Sequence, residues 1–302
     1  MRILLTGSTG QLGNALIKFK PNNINIITPN RQELNLENTT QCFNIVKEYK
    51  PDWIINSAAY TKVDQAEEEQ ELAFAVNEEA PKAFSKAIKI YGGKLLHLST
   101  DFVFSGKESK PYIPQHEIKP LNIYGQSKAN GEIGINEILN QTNQSIILRT
   151  SWLMGPVGKN FALTMLRLHQ KSEEIRVVSD QIGAPTTTYS LAKICWKLIN
   201  MYSNKNDKNI TLPSILHWSN AGIASWYDIA IAIGEFAISL KLLDHQANVL
   251  PISTSQYPTN AKRPIYSVLD CTETIQLLAV KQTHWKNALY EILKKVSIEE
   301  IN

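Results

Sequence analysis

The chain is short of almost everything that would suggest a staple, a membrane or a nucleic acid. Its 302 residues include three cysteines, Cys42, Cys195 and Cys271. They are odd in number, far apart and not in metal-ligand spacing, which argues against a disulfide scaffold or a zinc site and predicts buried thiols in a reducing compartment. No apolar run approaches the roughly 20 residues of a transmembrane helix. The opening "MRILLTG" runs into a glycine loop with no signal-peptide core, so a cytoplasmic protein is expected. Basic and acidic side chains nearly balance, 31 against 28, which gives no case for a nucleic-acid or membrane partner. Internal repeats and low-complexity segments are also lacking.

What is present is an alternation. "RILLTG", "INIITP", "DWIINSAA", "KLLHLST" and "QSIILRTSW" read as short buried strands, and amphipathic stretches such as "QLGNALIKFK" and "ENTTQCFNIVKEYKP" separate them. Apolar strands without period-two alternation, joined by helices, predict a parallel sheet covered on both faces. The expectation is an α/β, Rossmann-type doubly wound sheet with a smaller, mainly helical C-terminal substrate domain. Residues 1–151 and about 175–220 are expected to form the dinucleotide-binding domain, with about 152–174 and 221–302 forming the other. "FALTMLRLHQK" predicts an amphipathic helix, "IRVVSDQIGAPT" a strand and loop, and "SNKNDKN" a polar connector.

Gly7, Gly10 and Gly13 in "TGSTGQLG" fall between the first strand and the first helix. Glycines there let the backbone turn tightly and approach a pyrophosphate lying on a helix N-terminus. The end of the second strand distinguishes nicotinamide nucleotides, since a carboxylate pairs with a ribose hydroxyl and an arginine accommodates a 2′-phosphate. "TPNRQELNL" offers Asn30 and Arg31, with no acid before Glu33. That favours NADPH over NADH, unless Arg31 simply faces solvent.

Tyr124 and Lys128 in "YGQSKANGE" are four residues apart, hence on one face of a helix. Carbonyl reduction needs a hydride at carbon and a proton at the developing alkoxide. A phenol titrates near 10 when unperturbed, and a cation held beside it is expected to lower that value. "LHLSTDFVF" adds Ser99, Thr100 and Asp101 at a strand's carboxyl end, where a hydroxyl can bond the substrate oxygen. Tyr124, Lys128 and Thr100 are therefore the expected catalytic group.

In these motifs the sequence resembles the extended short-chain dehydrogenase/reductase family, and within it the dTDP-4-dehydrorhamnose reductase branch. "INSAAYTKVDQAE" at 55–67, "LRTSWLMG" at 148–155, "VVSDQIGAPT" at 177–186 and "KRPIYSVLD" at 262–270 carry the narrower likeness. The resemblance implies NADPH-dependent reduction of the C4 ketone of a dTDP-4-dehydro-6-deoxyhexose, for polysaccharide biosynthesis. It implies that Gly7, Gly10, Gln11 and Leu12, with Gly13, wrap the pyrophosphate. Ala58, Ala59 and Tyr60 flank the nucleotide, Asn77 and Ser99 stand beside it, and Thr100 and Asp101 face the sugar. Trp152 is implied beside the deoxyhexose or in the core, Asp101 as a sugar contact or a turn cap, and Gln181 and Arg263 at the ligand or, for Arg263, as a loop anchor. Asn77 could serve only to hold its loop. Some family members hold magnesium between subunits with glutamates; Asn14 and Ala15 stand where one such carboxylate is expected, so no metal is assigned. A monomer or homodimer is expected.

Two rivals remain. A 4,6-dehydratase usually needs an Asp-Glu pair after the threonine, yet Asp101 is followed by Phe102; an epimerase is a related alternative. A non-catalytic regulatory subunit could share the fold and bind NADPH without turnover.

Overall fold

Runs such as Trp53–Asn56, buried at every position, have no face to offer to water, and they become inner strands of a parallel sheet. The computed structural model describes residues 1–140, 142–203 and 213–296; most of the expected polar connector lies outside them. The first half runs β1 (Arg2–Thr6), α1 (Gln11–Lys18), β2 (Asn25–Ile27), α2 (Thr39–Tyr49), β3 (Trp53–Asn56), α3 (Gln70–Phe74), α4 (Ala80–Tyr91), β4 (Lys94–Thr100), α5 (Ile123–Leu139) and β5 (Ser145–Thr150). The second half continues with β6 (Leu153–Met154), α6 (Phe161–Lys171), β7 (Glu174–Val178), β8 (Ile182–Gly183), β9 (Thr186–Thr187) and α7 (Thr188–Ser203). It closes with β10 (Ile215–His217), β11 (Ala224–Ser225), α8 (Trp226–Ser239), β12 (Asn248–Ile252), α9 (Thr272–Leu278) and α10 (Trp285–Leu293).

Among the described residues six strands form the main sheet in the order β10-β5-β4-β3-β1-β2, and every pair is parallel. One face is covered by α1 and α7, whose Leu16, Leu191, Cys195 and Leu198 meet Ile3, Leu5 and Ile55. The other is covered by α2, α4 and α5, with Val46, Phe84 and Ile135 against Leu4, Ile54 and Ile147. This is the expected doubly wound α/β fold. The chain moves outward from β1 to β2 and returns to β3, so the strand order reverses between β1 and β3. A crevice opens there at the carboxyl ends of the strands.

A second core gathers Leu163, Leu166, Ile175, Val177, Ile229, Ile233 and Trp285, mostly from α6, β7, α8 and α10. β7 departs from the expected division, which placed residues from about 175 with the dinucleotide domain. It pairs in parallel with β12, Ile175 opposite Val249, and packs Ile175 and Val177 into this second core. The physical reason is its alternating exposure, with Glu174 and Arg176 outward: a strand covered on one face cannot serve inside a doubly covered sheet. All three cysteines are free and buried. Among the described residues no helix is long and apolar enough to cross a membrane.

Candidate active site

The glycine loop is shaped by close approach rather than by side chains. Gly7 has φ +68°, and its carbonyl accepts from Gly10 N at 3.0 Å. A Cβ on Gly13 would lie 2.1 Å from Gly7 O, so only glycine lets α1 start against the loop. The unbonded N–H groups at that helix start face a crevice of about 840 Å3, lined by Gly10, Gln11, Leu12, Ala58, Ala59, Ser99, Thr100, Tyr124 and Lys128. Gln11 Nε2 donates to Lys159 O at 3.1 Å, while its Oε1 and the Ser99 hydroxyl are buried with no partner among the described residues. A helix N-terminus, a cradle that tolerates no Cβ and unspent buried polar atoms fit a dinucleotide.

At the end of β2 a cavity of about 600 Å3 continues the crevice past Asn30 and Arg31. Asn30 Oδ1 accepts from Gln32 N and Glu33 N at 2.8 and 3.1 Å and so forms the turn itself. The Arg31 side chain is 84% exposed and pairs with Glu37 at 3.0 Å. Asn77 is a brace: it accepts from Tyr60 N, donates to Tyr60 O, and reaches Ser127 Oγ at 3.0 Å. The Tyr60 hydroxyl points instead to Glu69, at 2.8 Å.

α5 begins where Asn122 accepts from Gly125 N at 2.7 Å, and this cap sets the two residues that follow it on the face toward β4. Tyr124 packs against the edge of Phe102, ring centres 5.6 Å apart. Lys128 is 2% exposed; its Nζ donates to Leu98 O at 2.7 Å and lies 3.2 Å from His97 Nε2. Burial lowers the Lys128 pKa to about 8, opposed by the Glu132 carboxylate. Burial pushes the Tyr124 phenol up to about 12; a hydrogen bond with Thr100 opposes the rise and the Asp101 charge adds to it. The expected lowering of the phenol by Lys128 is therefore reversed in this structure. Desolvation is the largest cause, and Lys128 is not among the groups that act on the phenol here. The phenol is protonated throughout the neutral range, the state a proton donor requires. Asp101, buried beside it and accepting from Thr100 at 3.1 Å, is raised to about 6 by desolvation.

One turn beyond Lys128, Glu132 meets Arg149 of β5 in a fully buried pair, Nη2 to Oε2 at 2.6 Å and Nε to Oε1 at 3.0 Å. Arg149 Nη1 also donates to Pro114 O at 3.1 Å. The pair fastens the middle of α5 to the sheet.

Beyond Tyr124 lies a cavity of about 530 Å3 lined by Phe102, Trp152, Phe161, Gln181, Trp226, Tyr257 and Arg263. Trp152 stacks on Trp226 at 3.8 Å and 10°, with a left-handed backbone, φ +48°. Gln181 donates to Thr254 Oγ1 at 3.2 Å. Arg263 holds Asp64 through two bonds of 3.1 and 2.6 Å, tying the C-terminal segment to the loop after β3. The expected residues thus divide: Ser99, Thr100, Asp101, Tyr124, Lys128 and Trp152 meet at one place, Asn30 and Arg31 stand at one end of the cleft, and Gln181 and Arg263 line the cavity at the other. Sequence reasoning missed Trp226, Asp64, Asn56 and His97. A signal existed for the last two: β3 and β4 each carry a polar residue, Asn56 and His97, directly opposite in register.

The description "RmlD substrate binding domain" belongs to a family whose sequence model matches residues 1–298. A dTDP-4-dehydrorhamnose reductase from Aggregatibacter actinomycetemcomitans is 40% identical over 293 residues, covering 96% of this chain and 98% of its own. The chain belongs to the dTDP-4-dehydrorhamnose reductase family. Among solved structures of this family, the Bacillus anthracis enzyme in complex with NADP superposes with a TM-score of 0.86 at 37% identity, over 96% of this chain and 98% of that one. The Clostridium acetobutylicum member gives 0.86 at 34% identity, over 97% and 98%.

Proposed function

We propose that this chain reduces the C4 ketone of dTDP-4-dehydro-L-rhamnose to dTDP-L-rhamnose with NADPH, NADH serving less well, in a cytoplasmic route to cell-surface polysaccharide. The observation that carries the reading is the convergence of Thr100, Tyr124 and Lys128 where the nucleotide crevice meets the aromatic cavity, in a chain of this family. NADPH, when bound, supplies the hydride.

The protein's own groups do the rest. Gln11, Leu12 and Gly13 would hold the pyrophosphate through backbone N–H groups, Gly7 and Gly10 would wrap it by forming the turn that lets it approach, and Asn30 and Arg31 would bind the adenosine end with its 2′-phosphate. Ala58, Ala59 and Tyr60 flank the nucleotide, Asn77 holds that loop from behind, and Ser99 stands beside the nicotinamide half. The Thr100 hydroxyl, which gives its one proton to Asp101 in the structure, turns to the ketone oxygen when the sugar is bound and orients it. Tyr124 gives its proton to that oxygen as charge develops there. Lys128 keeps a donor free toward the crevice for the ribose hydroxyls and the phenol. Asp101 and Trp152 contact the deoxyhexose, and Gln181 and Arg263 border the nucleotide-diphosphate side. The lobe around the second core carries the sugar nucleotide, and the chain works as a monomer or homodimer without metal, nucleic acid or membrane.

Consumption of NADPH on addition of dTDP-4-dehydrorhamnose, with product identification by NMR, tests this. Tight NADPH binding without turnover on that sugar or on related keto-sugar nucleotides would replace the enzyme with a regulatory subunit.

A further inference from the structure

The helix that bears Tyr124 starts on a residue with two commitments. Asn122 is buried; its Oδ1 caps α5 by accepting from Gly125 N at 2.7 Å, while its Nδ2 donates to Lys262 O at 2.8 Å. Both partners are backbone groups, an N–H that can only donate and a carbonyl that can only accept, so the amide has a single orientation. The second bond spans 140 residues of sequence. It reaches the segment 257–264, which gives Tyr257, Thr259, Arg263 and Pro264 to the wall of the aromatic cavity.

This wall has no regular helix or strand of its own, so side chains decide where it lies. From one side the loop after β3 holds it: Asp64 accepts from Ala261 N at 3.1 Å and pairs with Arg263, and Glu68 accepts from Asn260 Nδ2 at 3.2 Å. From another side the loop after β4 presses on it, for a Cβ on Gly106 would lie 2.6 Å from Pro264 Cα. Asn122 is the direct bond from the wall to α5. The same β3 loop also touches the helix start, where Glu67 accepts from Ile123 N at 2.9 Å. Tyr124 follows two residues after the cap, within the first turn, so a shift of the cap carries the phenol with it.

We infer that Asn122 is a positioning residue that couples the 257–264 wall to Tyr124: a sugar nucleotide seated against this wall steadies the first turn of α5 and brings the phenol into line with the ketone. This deepens the proposed function and rests on it for the occupant of the cavity. The coupling itself is a property of the protein alone and can be read without any ligand.

The test is amide hydrogen exchange on the unliganded full-length protein, comparing wild type, Asp64→Ala, Asn122→Asp and the double variant. D64A releases the wall from its far side, and amides 122–126 should then exchange about three- to tenfold faster. In the N122D background that acceleration should be lost, because the carboxylate still caps α5 but has no N–H for Lys262 O. An effect of D64A that is absent, or equal in the two backgrounds, overturns the inference. Asn122→Ser, which keeps a capping hydroxyl and also lacks the amide, takes the place of N122D if that variant does not fold. With NADPH and dTDP-4-dehydrorhamnose, N122D should lower kcat/KM about 10- to 100-fold, with Tm and the Kd for NADPH near wild type. A residue that only caps the helix predicts an N122D enzyme equal to wild type, since Asp caps as well as Asn, and that result also overturns the inference. Absence of turnover in the wild type sinks the proposed function instead, and the exchange comparison then decides the coupling alone.

Discussion

The nucleotide crevice and the aromatic cavity meet near Tyr124, yet they are built in opposite ways. The crevice is made of strand ends, a helix start and backbone N–H groups, held by a parallel register that leaves little to adjust. The cavity is assembled from 152–181, Trp226 and 257–264, segments distant in sequence; a Trp–Trp stack joins the first two, and the Arg263–Asp64 tie fastens the third to the loop after β3. A framework of strands can bind a constant cofactor, whereas a patchwork of loops is where a family can alter the sugar it takes.

Substitutions can separate the two. The largest effect is expected at their junction: Tyr124→Phe removes the proton donor and should lower kcat by about 100- to 10,000-fold, while NADPH affinity measured by fluorescence titration stays near wild type. An unchanged kcat would show that the proton comes from elsewhere.

Next is Asp101→Asn. The folded-state pKa of about 6 lies above the ordinary carboxylate value, so the buried carboxylate destabilises the fold at pH above 6 and this penalty is relieved as pH falls toward 4. Replacement by the neutral isostere should stabilise the protein at pH 7 by on the order of 2 kcal/mol and flatten Tm between those two pH values. A variant with wild-type pH dependence would place the charge elsewhere.

Trp226→Leu tests the cavity alone. Losing the stack, ~1 kcal/mol, should raise KM for the sugar nucleotide severalfold with the Kd for NADPH unmoved; if both change together, the two regions are one site. The smallest effect is expected from Arg31→Ala, because the side chain is exposed and shared with Glu37. Its NADPH-over-NADH ratio in kcat/KM should narrow by a few fold, and an unaltered ratio removes Arg31 from cofactor choice.

This contrast also explains what could be read from the sequence. Short-range signals specified the crevice: a glycine triplet after a strand, a Tyr and a Lys one helical turn apart, polar residues at a strand's end. Trp152 was visible as a candidate, but Trp226 is 74 residues away and nothing local announces their stacking. Arg263 looked equally like a ligand contact or an anchor until Asp64 came beside it. The direction of the Tyr124 shift is not legible in the spacing, which shows that a lysine is one turn away but not that the phenol is buried, and burial is the largest cause of the shift. The place of β7 in the second core is not legible in its apolar run, because what decides it is the outward alternation of Glu174 and Arg176.

The Glu132–Arg149 pair has a consequence for inheritance. Losing either partner strands a bare charge in the interior, at about 3–5 kcal/mol, whereas exchanging both for apolar residues of similar volume is close to neutral. The two positions should therefore drift through descendants as a couple, with intermediate single mutants rare, so the bond that anchors the helix bearing the tyrosine should be exchanged as a pair.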